Sequence, residues 1–230
     1  NIEIYYMRNL FLKSLFIILP SLSIIGKAFA TNTSTGTNAL SSLTTGSFNT
    51  AVGYESLYTN TSGSNNTAVG SKSLKLNTTG YGNTAIGEET MEGNTTGYNN
   101  TAVGKNALQD NLTGYSNTAM GLFSMRLNTT GYENTAIGDM SLNSNTTGIK
   151  NTAIGQDSMR SNTTGDYNTA IGHDSLVFNT TGESNVAVGK NSLENNTTGY
   201  QNTALGNDTL QENTTGYQNT AIGQDALEAN

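Results

Sequence analysis

The 230-residue chain has no cysteine, no tryptophan and one proline, and only 12% of its residues are charged. Without cysteine, an exported chain cannot rely on a disulfide framework, so other interactions must stabilise it. Low charge with abundant Asn, Thr, Ser and Gly is also typical of disordered segments. Here, however, apolar residues recur at a constant spacing, which a disordered segment has no reason to keep. The composition therefore favours an ordered, repetitive structure.

The chain is acidic, with a formal net charge of −7. Arg8, Lys13 and Lys27 lie in the N-terminal segment, residues 1–30, so the remainder is more acidic still. Proteins that bind nucleic acid or anionic membranes carry basic clusters, which this chain lacks. The sequence therefore predicts neither kind of partner, and the acidic surface favours solubility.

Residues 1–30 have the pattern of a secretory signal peptide. Arg8 and Lys13 precede an apolar run over residues 15–25, which ends at an Ala-Phe-Ala cleavage site, residues 28–30. The run is short for a spanning helix, although a retained anchor is the alternative. Residues 1–6 precede Met7 and are interpreted as lying upstream of the true start. The pattern predicts a secreted or cell-surface protein without a membrane segment after cleavage, unless an anchor follows residue 230.

A five-residue motif, Asn-Thr-Ala-Ile-Gly, returns with a constant 17-residue period, and we call it the strand motif. A constant short period is typical of stacked repeat proteins, which grow by adding coils rather than around one central core. A degenerate copy begins at Asn32, so residues 31–230 contain about twelve coils. The full copies begin at Asn49, Asn66, Asn83, Asn100, Asn117, Asn134, Asn151, Asn168, Asn185, Asn202 and Asn219.

Within the strand motif, successive side chains should point to opposite faces. Thr135 and Ile137 share one face, and stacking the aliphatic residues predicts an aliphatic column inside the solenoid. Ala136 then lies on the outer face, where Ala in every full copy suggests close packing against another strand or a neighbouring subunit. The sequence thus predicts self-association, and we expect a homotrimer.

A Leu or Met stands at the fifth position after the aliphatic residue of each strand motif. Propensity favours a short helical turn or tight corner there, with a second short strand as the alternative. The next motif, Asn-Thr-Thr-Gly, predicts a return turn, because Gly and Asn accept left-handed conformations. A Tyr often follows and should form a partly exposed column, while recurring Asn side chains should form hydrogen-bonded ladders along the axis. The predicted fold is an all-β, parallel β-solenoid.

Catalytic, cofactor-binding and metal-binding constellations are absent from the sequence, and we predict no enzyme. His173 occupies a variable position after a Gly and is interpreted as solvent-facing. Asp157 and Asp174 share a column with other acids, but neutral and basic residues interrupt it, which favours a solvated edge over a calcium site. Asn77 and Asn128 begin glycosylation sequons, which turn chemistry explains without a sugar.

The strand motif, followed by Ser-Leu and then Asn-Thr-Thr-Gly, resembles the head repeats of trimeric autotransporter adhesins. It is also similar to tandem repeats of bacterial exported and phage tail-fibre-like proteins, which often end in a self-cleaving chaperone domain. The resemblance covers residues 32–230 and implies a surface adhesin. The sequence stops at Asn230, within a repeat, and a missing anchor or trimerisation part would lie beyond it.

The predicted function is an exported surface or extracellular fibre segment whose use is adhesion to a host or abiotic surface. One alternative is an ice- or crystal-surface-binding solenoid, against which the inward direction expected for the Thr column argues. The other alternative is a phage tail-fibre shaft, against which the signal peptide argues.

A partner should contact columns that vary from coil to coil, since folding constrains the others. Most variable residues are polar, but two apolar groups stand out and are candidate contact sites. The alternative is that they fill a local gap or face a neighbouring subunit. The candidates are Leu122, Phe123, Leu127 and Met140, with Val177 and Phe178 as a second pair.

Overall fold

The computed structural model describes residues 32–229, which lie almost entirely within one compact unit. The predicted signal peptide and Asn230 fall outside the described residues. Among residues 32–229, no helix has the length and apolar character needed to cross a membrane. The described chain is a stack of coils with one three-residue strand in each. The strands are β1 (Thr33–Thr35), β2 (Thr50–Val52), β3 (Thr67–Val69), β4 (Thr84–Ile86), β5 (Thr101–Val103), β6 (Thr118–Met120), β7 (Thr135–Ile137), β8 (Thr152–Ile154), β9 (Thr169–Ile171), β10 (Val186–Val188), β11 (Thr203–Leu205) and β12 (Thr220–Ile222).

The twelve strands form one sheet in which each strand pairs in parallel with the next along the chain. The register repeats the sequence period, so that Thr135 lies opposite Thr152 and Ala136 opposite Ala153. Each coil therefore places identical motif positions one above another. The predicted parallel β-solenoid with 17-residue coils is confirmed.

The two faces of the sheet are the reverse of the prediction. Ala136 is fully buried, whereas Ile137 is 38% exposed and Thr135 is half-buried. The alternation itself is as expected, but the small residue points inward and the aliphatic residue outward. Such a short coil encloses a narrow interior, and the inward strand position has space for a methyl group only.

The core consists of two apolar columns. The strand alanines form one, and the Leu or Met residues of the following corner form the other, for example Leu142 beside Ala136 in the same coil. Because both columns continue through successive coils, each buried side chain packs above and below as well as across the coil. The fully buried Leu and Met residues are Leu57, Leu74, Met91, Leu108, Met125, Leu142, Met159, Leu176, Leu193 and Leu210.

The corner that carries the Leu is neither a helical turn nor a second strand, but a tight corner with left-handed residues. Met140 has φ 53° and Leu142 has φ 52°, and the same two positions are left-handed in the other full coils. A left-handed L-residue costs about 1–2 kcal/mol. Inter-coil hydrogen bonds offset this cost: Leu142 N donates to Ser158 O at 2.9 Å, and Met140 N donates to Leu122 O at 2.9 Å.

Two columns of buried asparagines run along the axis, as the sequence predicted. In the strand column, Asn134 Nδ2 donates to Gly148 O at 2.8 Å, and Asn134 N donates to Asn117 Oδ1 at 3.0 Å. In the turn column, Asn128 Nδ2 donates to Asn111 Oδ1 at 2.7 Å. Among the described residues, every buried side-chain N or O atom has a hydrogen-bond partner. The interior thus combines two apolar columns with two asparagine columns and, in most coils, a buried Ser or Thr such as Ser141. Because the buried polar atoms are paired, so small a core can accommodate polar side chains.

The glycine that ends each Asn-Thr-Thr-Gly turn is required because the backbone there lies against the asparagine columns. A Cβ atom added to Gly131 would collide with Asn128 Oδ1 and with the carbonyl oxygen of Gly148 in the next coil. The backbone approaches the asparagine column too closely for any other residue.

Candidate interaction surfaces

The outer side of the sheet is the most regular surface of the solenoid, and we call it the strand face. It consists of the threonine and the aliphatic residue of each strand from β2 to β12. Thr is replaced once, by Val186, and both columns are free of charged residues. Several aliphatic side chains are at least 36% exposed, namely Val52, Ile86, Met120, Ile137, Ile171, Leu205 and Ile222. The other four aliphatic residues of the column are half-buried. An apolar column of this length with so much exposed area is unusual for a free surface.

The threonine hydroxyls of the strand face differ from those of the return turns. From Thr50 to Thr220, no strand threonine donates or accepts a side-chain hydrogen bond within the described residues. The first threonine of most turn motifs, by contrast, donates to the next coil, as Thr129 Oγ1 does to Thr146 O at 2.9 Å. Folding therefore uses the turn hydroxyls and leaves those of the strand face available to another molecule.

The predicted tyrosine column forms two stacks. The first contains four rings, and its successive centroids lie 5.0, 4.9 and 4.6 Å apart with interplanar angles of 10°, 1° and 6°. The second contains Tyr200 and Tyr217, whose centroids lie 4.9 Å apart. The rings lie parallel at the coil spacing, so a ring between two others exposes only its edge. The first stack consists of Tyr81, Tyr98, Tyr115 and Tyr132.

The first group of predicted contact residues lies mainly on the surface. Leu122, Leu127 and Met140 are exposed, and backbone hydrogen bonding brings Met140 beside Leu122. Phe123 is half-buried, and the guanidinium carbon of Arg126 lies 5.5 Å from its ring centroid. The structure therefore places four candidates on two adjacent coils. Their role as a contact site stays a prediction.

The second pair is divided by the structure. Phe178 is 41% exposed, but Val177 is only 3% exposed and packs against the solenoid. In this structure Val177 is a packing residue and offers no surface to a partner, so only Phe178 remains as a candidate. The buried state of Val177 shows that variable positions after the corner Leu are not uniformly outward.

Ion pairs on the surface also follow the coil spacing. Lys72 Nζ lies 2.7 Å from Glu89 Oε1, and the hydrogen bond between them lowers the pKa of Glu89 and raises the pKa of Lys72. Lys75 Nζ lies 2.9 Å from Glu55 Oε2, and this bond lowers the pKa of Glu55. Both pairs join side chains of consecutive coils at the protein surface. They add to inter-coil cohesion rather than form a reactive site.

The histidine, the acidic residues and the sequon asparagines considered in the sequence form no reactive or modified site in the described residues. His173 is half-exposed, and its Nδ1 lies 2.6 Å from Asp174 Oδ2. Within residues 32–229, no group of three His, Cys, Asp or Glu side chains is arranged to hold a metal. The sequon asparagines Asn77 and Asn128 are fully buried, and each Nδ2 donates to two acceptors. The folded chain therefore cannot carry a glycan at these two residues.

No family model, curated protein or solved structure matches this chain. Function must therefore be argued from its own surfaces. The most extensive of them, the strand face, was not predicted, because the sequence pattern placed its residues inside the solenoid. The one available signal was size, since the position that is always Ala suits a narrow interior better than an outer surface.

Proposed function

We propose that the chain is a segment of an exported surface or extracellular fibre, used for attachment to a host or abiotic surface, in which copies associate through the strand face. The exposed aliphatic column carries the proposal. Ile137 and its counterparts form an uncharged strip along the whole described solenoid, and burying such a strip is favourable. Export and attachment rest on the signal-peptide pattern and on the resemblance to adhesin repeats, which also favours three copies.

The proposed interface differs from that expected from the sequence. The strand alanines are inside the coil, so the aliphatic and threonine columns must supply the contact between subunits. Apolar side chains alternate with hydroxyls there, a composition suited to an interface with a dry centre and hydrogen-bonded edges.

Light scattering on the purified chain tests the proposal. The wild-type chain is expected to have the mass of three copies. Replacing Ile137 and Ile171 with Asp, two coils apart so that the new charges do not adjoin, should give a monomer with an unchanged circular dichroism spectrum. The matched control replaces Thr130 and Thr164, exposed turn residues with the same separation, with Asp and should leave the assembly intact. A monomeric wild-type chain, or equal dissociation of both variants, would contradict the proposed interface.

Binding to ice or to another crystal surface is a second candidate function of the strand face. The observation in its favour is the outward direction of the strand threonines, whose hydroxyls are free of protein hydrogen bonds at the regular coil spacing of about 4.8 Å. The inward direction that argued against this function does not hold. A regular array of hydroxyl and methyl groups can match an ordered surface, whereas a charged array would retain its own hydration.

Thermal hysteresis measurements separate the two candidates. An ice-binding chain should lower the freezing point as a monomer, and Thr135→Lys should weaken the effect while Thr130→Lys should not. A subunit interface would instead cover the same face, giving an oligomer without hysteresis. One copy cannot use the strand face for both purposes at once.

A further inference from the structure

At its N-terminal end, the first tyrosine stack has a terminal ring face on which no other ring stacks. Within this stack, Tyr98 and Tyr115 each have a neighbour on both sides, and the far face of Tyr132 is followed in the same column by Ile149. Tyr81 has a partner only on the Tyr98 side. The two preceding coils carry Ser64 and Ser47 in this column, and a serine side chain is too short to reach a tyrosine ring.

The exposure of the rings agrees with this arrangement. Tyr81 is 48% exposed although Tyr98 stacks on it, whereas Tyr98, Tyr115 and Tyr132 are half-buried. The residue after Tyr81 is Gly82, so the neighbouring column also lacks a side chain at this coil. The result is a notch, about two coil spacings long or roughly 10 Å, that ends at the open ring face of Tyr81.

The groups around the notch carry no charge: the serines and Asn65 are polar, and Phe48, which follows Ser47, is 62% exposed. Ser64 Oγ accepts a hydrogen bond from Ser47 N at 3.1 Å, and Asn65 N donates to Ser47 O at 2.9 Å. The Asn65 side chain is exposed, as is Ser62 at the edge of the return turn. An ionic ligand would find no counter-charge among these residues. Hydroxyl and amide groups beside an open aromatic face instead suit a ligand that is itself rich in hydroxyls.

A neutral pyranose ring fits this chemistry. One face of such a sugar presents C–H bonds, which pack against the negative face of an aromatic ring, while its hydroxyls hydrogen-bond to neighbouring polar groups. We propose that the notch formed by Ser47, Ser64, Asn65 and the open face of Tyr81 binds one neutral pyranose residue of a surface glycan. The inference gives the proposed attachment function a ligand class and rests on that function for its biological meaning.

Saturation-transfer NMR with methyl β-galactopyranoside, and in parallel with the methyl glycosides of glucose, mannose and N-acetylglucosamine, tests the site. At least one glycoside should receive saturation from the wild-type chain and shift the Tyr81 ring resonances. Ser64→Tyr, which extends the stack and covers the open face, should weaken binding at least tenfold. The matched control is Glu183→Tyr, which covers the corresponding face of Tyr200 and should leave binding unchanged.

Two results would overturn the site: no transfer to any of the four glycosides, or equal binding by wild type and Ser64→Tyr. Light scattering on the same samples keeps this inference separate from the proposed fibre function. A glycoside that binds a monomeric chain would support the notch and refute the assembly. An assembled chain that binds none of the glycosides would support the assembly and refute the notch.

Discussion

Adjacent residues of each strand lie on opposite faces of the sheet and differ sharply in burial. Ala136 is fully buried and Ile137 is 38% exposed, although burying isoleucine alone would be more favourable. The difference shows that the dimensions of the coil, and not hydrophobicity, select the inward residue. A typical coil buries one alanine, one leucine or methionine, two asparagines and the serine or threonine before the leucine. The larger aliphatic residue of the strand remains available for contacts between molecules.

The largest expected effect on stability comes from placing a lysine on the inner face of the sheet and, for comparison, on the outer face. Ala136→Lys should cost at least about 4 kcal/mol of unfolding free energy, because the narrow interior has neither space nor a counter-charge for an ammonium group. Thr135→Lys, one residue away on the strand face, should cost less than about 1 kcal/mol when both variants are compared in the monomeric chain that carries Asp at positions 137 and 171, where no subunit interface contributes. Urea unfolding followed by circular dichroism measures both. Similar losses for the two variants would show that the strand face is also part of the core.

The next effect concerns the buried amides. Asn134→Ala would leave Asn151 N without the acceptor that now lies 2.9 Å away, and would remove one of the two donors to Gly148 O, which keeps Asn145 Nδ2 at 3.0 Å. One unsatisfied buried donor, together with the lost bond to Gly148 O, should cost about 2–3 kcal/mol. Asn143→Ala is the control, since this half-buried amide makes one bond, to Phe123 O at 2.8 Å, and its loss should cost about 1 kcal/mol. A smaller effect at Asn134 than at Asn143 would contradict a structural role for the ladder.

A smaller effect is expected where the outer backbone is left-handed. Ser184 is exposed with φ 57°, and the equivalent residue is Asn in two other coils, at Asn65 and Asn99. Because Asn accepts this conformation more readily, Ser184→Asn should raise stability by about 0.5 kcal/mol. Ser144→Asn, at a partly exposed position without positive φ, should give no gain in the melting temperature. Equal gains would point to a general effect of Asn rather than to backbone strain.

The smallest effect is the pH dependence of a surface ion pair. The hydrogen bond from Lys72 lowers the pKa of Glu89 below its ordinary value of 4.5. The ion pair therefore stabilises the folded chain above about pH 4.5. This contribution to the free energy of unfolding is lost as the pH falls through the lowered pKa of Glu89 in the folded state. Glu89→Gln should reduce the loss of melting temperature between neutral and acidic pH by no more than about 3 °C.

The control for this ion pair is Glu212→Gln, since Glu212 accepts a hydrogen bond from the Asn195 amide and not from a cation. It should leave the difference between neutral and acidic melting temperatures nearly unchanged. If both variants change it equally, general charge and not the Lys72 contact governs the acid response.

Two features could not be settled from the sequence, for one reason. The direction of Ile137 was predicted wrongly, and the corner around Leu142 was left open between a helical turn or tight corner, which includes the observed form, and a second strand. Both depend on how wide the closed coil is, and neither periodicity nor propensity contains that dimension. The contact candidates show the same limit, since Val177 is buried while its neighbour Phe178 is exposed. The residues around a tight corner do not determine which of its side chains points toward the solenoid axis.

The sequence by itself determined the coil. A strict period of 17 sets the parallel register, because identical motifs stabilise one another only when stacked in phase, and the recurrent asparagines could then be assigned to ladders along the axis. The tertiary structure alone decided which side of the strand is inside. A strand alternates in the same way whichever face is buried, and only closure of the coil around the leucine column leaves space for a methyl group and sends the isoleucines out to solvent.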